Sequence, residues 1–184
     1  MRVARDIVKP IVTLTLITLV VAAALAFTYQ VTKPEEAAGP DMAQINEQGK
    51  VAMPEADSFE QLSETAEGAT YLFKAKNNAG ILVQGEAIGY NKTTPIVFLV
   101  GFDADGKITG LSVLSQEETP GLGDNITKPE FAQQLIGKDG EIGLKTGGQN
   151  SIDGIAGATY SSEGMCEGIN NARKAFETVK GALS

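Results

Sequence analysis

Tyr71-Leu72-Phe73-Lys74-Ala75 and Ile81-Leu82-Val83-Gln84-Gly85-Glu86-Ala87-Ile88, separated by Asn77-Asn78-Ala79-Gly80, decide the fold class of this chain. Both runs are short, rich in β-branched and aromatic residues, and bounded by turn formers, as paired strands are. Thr94-Pro95-Ile96-Val97-Phe98-Leu99-Val100-Gly101-Phe102 follows as a nearly continuous apolar run, which predicts a mostly buried strand. Asp103-Ala104-Asp105-Gly106 turns it, and Lys107 to Leu114 returns with alternating apolar residues. Strands joined by tight turns form an antiparallel meander. Helical patterns stand on both sides of it, so the class is α+β, a mainly antiparallel sheet flanked by helices. Two near-motifs fall in the last turn. Gly101-x-x-x-x-Gly106-Lys107 lacks the hydroxyl of a phosphate loop because Ile108 stands there, and Asp103-x-Asp105-Gly106 lacks the downstream calcium ligands. Both are expected to be hairpin turn and nothing more.

Toward the N-terminus, Phe59, Leu62 and Ala66 recur at helical spacing, which predicts a short helix over Ser58–Glu67 capped by Ser58. Residues 33–57, with Pro34, Pro40 and Pro54 among polar neighbours, are expected to be a linker. Residues 10–32 carry no charge and as a helix would be about 34 Å long, enough to cross a hydrocarbon core. Arg2, Arg5 and Lys9 precede them, which places the N-terminus in the cytoplasm and everything after residue 32 outside. Ala22-Ala23-Ala24-Leu25-Ala26 offers a signal-peptidase site as the competing reading, but the apolar run exceeds the usual signal length. The expected division is therefore anchor at 1–32, linker at 33–57 and one extracytoplasmic domain at 58–184.

Toward the C-terminus, Pro129 to Ile136 reads as a short helix stopped by Gly137, and Glu141 to Lys145 as a last strand. Ser151-Ile152-Asp153-Gly154-Ile155-Ala156-Gly157-Ala158-Thr159-Tyr160-Ser161-Ser162 then leads into a helix whose stripe is Met165, Ile169, Ala172, Phe176 and Val179. Gly154 and Gly157 permit close approach, and Thr159 has nothing bulky ahead of it to shield its hydroxyl. Ser161 or Ser162 is expected to cap the helix, with Glu163 in its first turn. A hydroxyl beside the free N–H groups of a helix N-terminus is placed to carry a phosphate. The same residues are also ordinary loop-and-cap chemistry.

Composition removes several function classes. There is no histidine, which excludes Ser-His-Asp and Cys-His catalysis. The single cysteine, Cys166, excludes an internal disulfide, a redox pair and a cysteine-ligated cluster, and its place beside the apolar stripe predicts an inert packed thiol. The net charge is −8. Three of the 15 basic and one of the 23 acidic residues precede residue 10, leaving −10 for the rest, so nucleic acid is excluded as a partner.

Asp153-Gly154-x-x-Gly157-Ala158-Thr159 with Ser161 and Ser162, and the loop Glu118-Thr119-Pro120-Gly121-Leu122-Gly123, together resemble the FMN-binding domain family. Its members include the G subunit of Rnf-type electron transport complexes and the C subunit of sodium-pumping quinone reductases. The resemblance covers roughly residues 70–180 and implies FMN carried on Thr159 through a phosphoester, with Glu118, Thr119, Leu122 and Gly123 against the flavin. Two positions depart from the family pattern: Ala156 stands where Ser or Thr is usual, and Gln116 where histidine is frequent. The resemblance also implies a dedicated flavin transferase using FAD, because threonine is a poor nucleophile without a base and this chain has no histidine to activate it. Asp153 is then either a recognition residue for that enzyme or an Asx turn.

The function that follows is an electron carrier in a bacterial inner-membrane Rnf-type complex, coupling ferredoxin/NAD electron flow to ion translocation. It is a carrier rather than a catalytic subunit, and no dinucleotide fingerprint marks the chain for NAD chemistry of its own. The alternatives are a C-type subunit of a quinone reductase, an extracytoplasmic respiratory flavoprotein, or a non-redox membrane-anchored binding module.

Overall fold

The computed structural model describes residues 2–32, 39–145 and 147–183. Residues 33–38, which open the expected linker, and the side chains of Arg2, Arg5 and Lys9, which set the expected orientation, lie outside the described residues. The chain divides into two compact units, residues 1–39 and 40–184.

The first unit is helix α1, Arg2–Thr32. Within it Ile11–Tyr29 has a mean hydropathy of 2.4, long and apolar enough to cross a membrane. Three of its hydroxyls are satisfied internally. Thr15, Thr18 and Thr28 donate to the carbonyls of Ile11, Leu14 and Ala24, one turn back, at 2.9 to 3.0 Å. A polar group with no water around it needs such a partner.

The second unit is built on a five-stranded antiparallel sheet, β1 Phe59–Gln61, β2 Tyr71–Ala75, β3 Ile81–Ala87, β4 Ile96–Phe102 and β5 Ile108–Ser115, in sequence order across the sheet. The meander read from the sequence is this sheet. Side chains alternate along each strand, and both faces are apolar. Ile81, Val83, Phe98, Val100 and Phe102 point to one face, while Phe73, Leu82 and Leu99 point to the other. That double burial explains why β4 reads as an unbroken apolar run.

Two expectations on the N-terminal side give way. The linker does not extend to residue 57. Helix α2, Met42–Ala52, is capped by the Asp41 carboxylate, which accepts from the amides of Ala43 and Gln44 at 2.9 and 3.4 Å. It buries Ile45, Gly49 and Ala52 against the second sheet face. Nor do residues 58–67 form a helix. Phe59 opens edge strand β1 and packs with the α2 cluster, whereas Leu62 and Ala66 pack against the opposite cluster. Their helical spacing is therefore not a common face. Ser58 caps nothing; its carbonyl accepts from the Lys76 amide at 3.0 Å.

The first face is covered by a long C-terminal helix. Helix α3, Pro129–Gln133, precedes it, and it is α4, Thr159–Val179, whose Met165, Ile169, Ala172, Phe176 and Val179 are all buried as the stripe predicts. A 3₁₀ turn at Gly123–Thr127 closes that side together with α3. Strands β6 Gly143–Leu144 and β7 Ser151–Ile152 form a small parallel pair beside them. From α4, Arg173 donates to the carbonyls of Gly106 and Lys138 at 2.6 and 3.1 Å, with its guanidinium 5.1 Å from the Phe102 ring centroid. Burial lowers its pKa from the ordinary value, against the attraction of Asp139 and Glu177. Asp103 accepts from the amides of Asp105 and Lys107 at 3.0 and 2.8 Å, so its carboxylate is spent on the turn. No group of acidic, cysteine or histidine side chains among the described residues could hold a metal ion.

Candidate functional site

The segment from Ser151 to Ser162 serves to present the N-terminus of α4. Strand β7 pins Ile152, and Asp153 is held through its backbone, its amide donating to Gln134 Oε1 at 2.7 Å. The chain reverses at Gly157, where φ is +76°, and α4 starts at Thr159 with Ala158 as its N-cap residue. Among the described residues no side chain caps this helix, and its first turn has no acid. The expected capping by Ser161 or Ser162, and the placement of Glu163 in the first turn, are both corrected. The helix begins earlier than those serines require, and both are buried inside it. Ser162 Oγ donates to Ala158 O at 3.0 Å and accepts from the Ile155 amide at 2.9 Å, folding the approach loop onto the helix. The first amides of the helix are left without intrahelical acceptors, with the positive end of the dipole behind them.

Opposite this helix end lies the loop Glu118–Gly123. Thr119, Leu122 and Gly123 line a cleft of about 490 Å³ together with Gly157, Ala158, Thr159, Tyr160 and Ser161 from the α4 side. Tyr90, from the turn between β3 and β4, forms the third wall. The two sequence motifs, about 40 residues apart, thus close on one cavity, of a size usual for cofactor pockets. Thr159 is exposed within it. Tyr90 and Tyr160 are 65% and 62% exposed and stand with ring centroids 6.4 Å apart, and Lys92 Nζ sits 5.7 Å from the Tyr160 ring.

Four of the residues singled out in the sequence do not line the cleft. Asp153 is exposed but is not among the residues lining the cleft, and Gly154 packs near Leu144. Ser162 is buried behind the helix. Glu118 lies beneath the cleft floor, only 4% exposed, where its Oε2 accepts from the Tyr90 amide at 3.0 Å and from the Ser161 hydroxyl, and its Oε1 from the Asn91 amide at 3.1 Å. Gln116, in the place where the family frequently has histidine, accepts from the Glu118 amide at 2.6 Å. Tyr90 and Tyr160 were not among the sequence candidates. Tyr160 could have been suspected as the large neighbour of Thr159; Tyr90 sits in a turn that no pattern marks. Cys166 is buried, and desolvation, with Glu163 adding to it, pushes its thiol up to about 11. That fits the packed, inert thiol expected from its position.

Comparison with known proteins agrees with this geometry. Residues 89–174, which carry every wall of the cleft, match the FMN-binding domain family. The chain is 33% identical to the G subunit of the ion-translocating oxidoreductase complex of Methanosarcina acetivorans, over 92% of this chain and 94% of that one. It belongs to the family of these G subunits. It is also 28% identical to the G subunit of the proton-translocating ferredoxin:NAD(+) oxidoreductase complex of Clostridium ljungdahlii, over 85% of this chain and 84% of that one. The C subunit of a sodium-translocating NADH-quinone reductase from Pasteurella multocida is 31% identical, but over 60% of this chain and only 46% of that one. The two G subunits therefore match over nearly the whole chain, the reductase's C subunit over a part.

The residues present suit an FMN. Leu122, Tyr90 and Tyr160 offer apolar and aromatic surface for a planar ring. The amides of the first turn of α4 offer donors for a phosphate, and Thr159 is the first residue of that turn.

Proposed function

We propose that this chain is the FMN-carrying electron-transfer subunit of a membrane-bound, ion-translocating Rnf-type complex, with Thr159 joined through Oγ1 to the cofactor phosphate. The observation that carries the assignment is the position of Thr159: an exposed, hydroxyl-bearing residue that opens α4 and lines the cleft formed by both motifs. Ser161 and Ser162, the rival hydroxyls, are buried and already bonded. Thr119 also lines the cleft, but from the loop opposite α4 and not from the first turn of that helix. FMN, once bound, accepts two electrons and releases them singly, which suits a relay between one- and two-electron carriers.

Among the described residues no carboxylate or amine lines the cleft, so Thr159 has no base of its own. A flavin transferase is the implied partner. Thr159 Oγ1 attacks the FMN-side phosphorus of FAD; the O–P bond forms, the pyrophosphate bridge breaks, AMP leaves, and the hydroxyl proton passes to a base of the transferase. The exposed Asp153 carboxylate is free of hydrogen bonds among the described residues and is available to that enzyme. The remaining partners are the other subunits of the complex, with electrons moving between ferredoxin and NAD elsewhere in it.

In this reading the domain stands on the extracytoplasmic side of the bacterial inner membrane, held by a single span at Ile11–Tyr29. A reporter active only outside the cytoplasm, fused after Ser184, should be active; a silent but stable fusion reverses the orientation. Attachment is tested by peptide mass mapping of the chain coexpressed with a flavin transferase. The tryptic peptide containing Thr159 should gain the mass of FMN less one water, with fragmentation placing it on that residue. A gain on Thr119, Ser161 or Ser162 overturns the assignment.

A further inference from the structure

Helix α4 has no capping side chain and no acid in its first turn, yet its N-terminus is the part of the helix that the site uses. The structure assigns the missing role to Glu118: it is a positioning residue whose buried carboxylate clasps the first turn of α4 to the other two walls of the cleft. The clasp has three arms. Ser161, two residues after Thr159, donates its hydroxyl to Oε2. The amides of Tyr90 and Asn91 donate to Oε2 and Oε1 at 3.0 and 3.1 Å. The third arm is covalent, since Glu118 opens the loop that supplies Thr119, Leu122 and Gly123.

The surroundings are fitted to this carboxylate. A Cβ on Gly89 would lie 2.6 Å from Glu118 Oε1, and one on Gly123 would lie 2.6 Å from Ser161 Oγ and 2.8 Å from Glu118 Oε2. Both positions are glycine because the clasp occupies the space a side chain would need. The Glu118 amide is in turn fixed by Gln116 Oε1 at 2.6 Å. A buried carboxylate fully supplied with donors and set at a helix N-terminus also answers the dipole that the helix leaves uncompensated. Glu118 therefore touches no ligand. It fixes where Thr159 stands relative to Tyr90 and Leu122, so that a group attached at Thr159 is held against those walls.

This inference rests on the reading of Thr159 as the attachment residue, but its geometric half is testable without any cofactor. In the full-length flavin-free chain, Glu118→Gln leaves one acceptor oxygen where two amides and a hydroxyl converge, so amide exchange at Tyr90 or Asn91 should quicken about tenfold. Wild-type exchange at both overturns the clasp. In the flavin-loaded chain, the fluorescence anisotropy of the attached flavin should fall and its midpoint potential should shift in both Glu118→Gln and Ser161→Ala. The double variant should go no further than the stronger single one, because both break the same link. Glu118→Asp keeps the charge but draws it back by one methylene, so it should behave like Glu118→Gln. Rescue by Asp, additive effects, or wild-type anisotropy in Ser161→Ala would overturn positioning. Should Glu118→Gln not fold, Ser161→Ala alone decides. A wild-type chain that takes up no flavin sinks the functional reading instead, and the exchange measurement still decides the clasp.

Discussion

Helices α2 and α4 cover opposite faces of one sheet, and they do so for different ends. Helix α2 is ended in the ordinary way: Asp41 satisfies its first amides, and its small apolar face fills the cluster of Phe59, Phe73, Leu82 and Leu99. Helix α4 is far longer, carries the larger cluster, and starts with no cap of its own. The contrast teaches that an uncapped helix end in a well-packed domain is informative. Where a helix serves only packing, its N-terminal donors are consumed locally; where it serves a ligand, they are kept open and the end is held by a clasp from elsewhere.

The largest expected effect breaks the site and leaves both faces intact. Thr159→Val keeps size and branching at an exposed position and deletes the nucleophile. It should fold with wild-type stability and lose all covalent flavin, read by in-gel fluorescence after denaturation; flavin that persists there refutes the attachment. Next come paired substitutions that weigh one face against the other. A Cβ at Gly164 of α4 would overlap the Ile88 carbonyl oxygen and lie 2.8 Å from its carbon, backbone atoms that cannot yield. Gly164→Ala should cost about 3 kcal/mol in urea unfolding despite its better helix propensity. The matching site on α2 is Gly49, where a Cβ would lie 2.5 Å from Phe59 Cε2 and 2.9 Å from Leu82 Cδ2, both side-chain ends. Gly49→Ala should cost about 1 kcal/mol and leave the flavin potential unmoved. A larger loss at Gly49 than at Gly164 would mean that the α2 face is the less forgiving of the two.

The difference between the faces was also a difference in legibility. The meander could be read because its strands are strongly apolar and its turns carry Asn77-Asn78 and Asp103 to Gly106. The face of α4 could be read because large residues mark it at helical spacing. Helix α2 escaped because two of the four residues of its contact face, Met42, Ile45, Gly49 and Ala52, are too small to register in a stripe, although a sheet apolar on both faces requires a second cover. Strand β1 is not legible because the three-residue step from Phe59 to Leu62 fits one helix face as well as the two opposite faces of an extended chain, and only the sheet decides between them. At the site, the two motifs could be seen to belong together, but not that Glu118 and Ser161 meet beneath the cleft. That contact joins residues far apart in the chain, and nothing local to either predicts it.

A smaller effect separates cofactor environment from stability. Tyr160 is largely exposed and lines the cleft, so Tyr160→Leu should change stability by less than about 0.5 kcal/mol. It removes an aromatic neighbour from the proposed flavin, and the fluorescence of the attached flavin should rise or its potential shift. Unchanged fluorescence and potential would remove Tyr160 from the cofactor's surroundings and leave Tyr90 and Leu122 as the walls to be tested.

The smallest expected effect lies on α4 but away from its N-terminus, and it asks whether the body of that helix is as inert as α2. Cys166 packs in the α4 cluster, and burial, reinforced by Glu163, raises its thiol from 9.0 to about 11. At neutral pH it is a protonated, shielded thiol, so alkylation should be slow in the native chain and fast in urea. The sign of its pH effect follows from linkage. Above pH 9 the unfolded chain releases this proton while the folded chain keeps it, so the contribution is fully present below pH 9. It is lost as the pH rises toward 11. Cys166→Ala removes that dependence, and the stability difference between variant and wild type should therefore change between about pH 9 and 11 and be flat below about pH 8. Rapid alkylation of the native chain at about pH 8 would mean that the body of α4 opens readily, and a pH-independent difference across the whole range would mean that its packing does not shield the thiol. The contrast between a held helix end and a merely packed one would then fail.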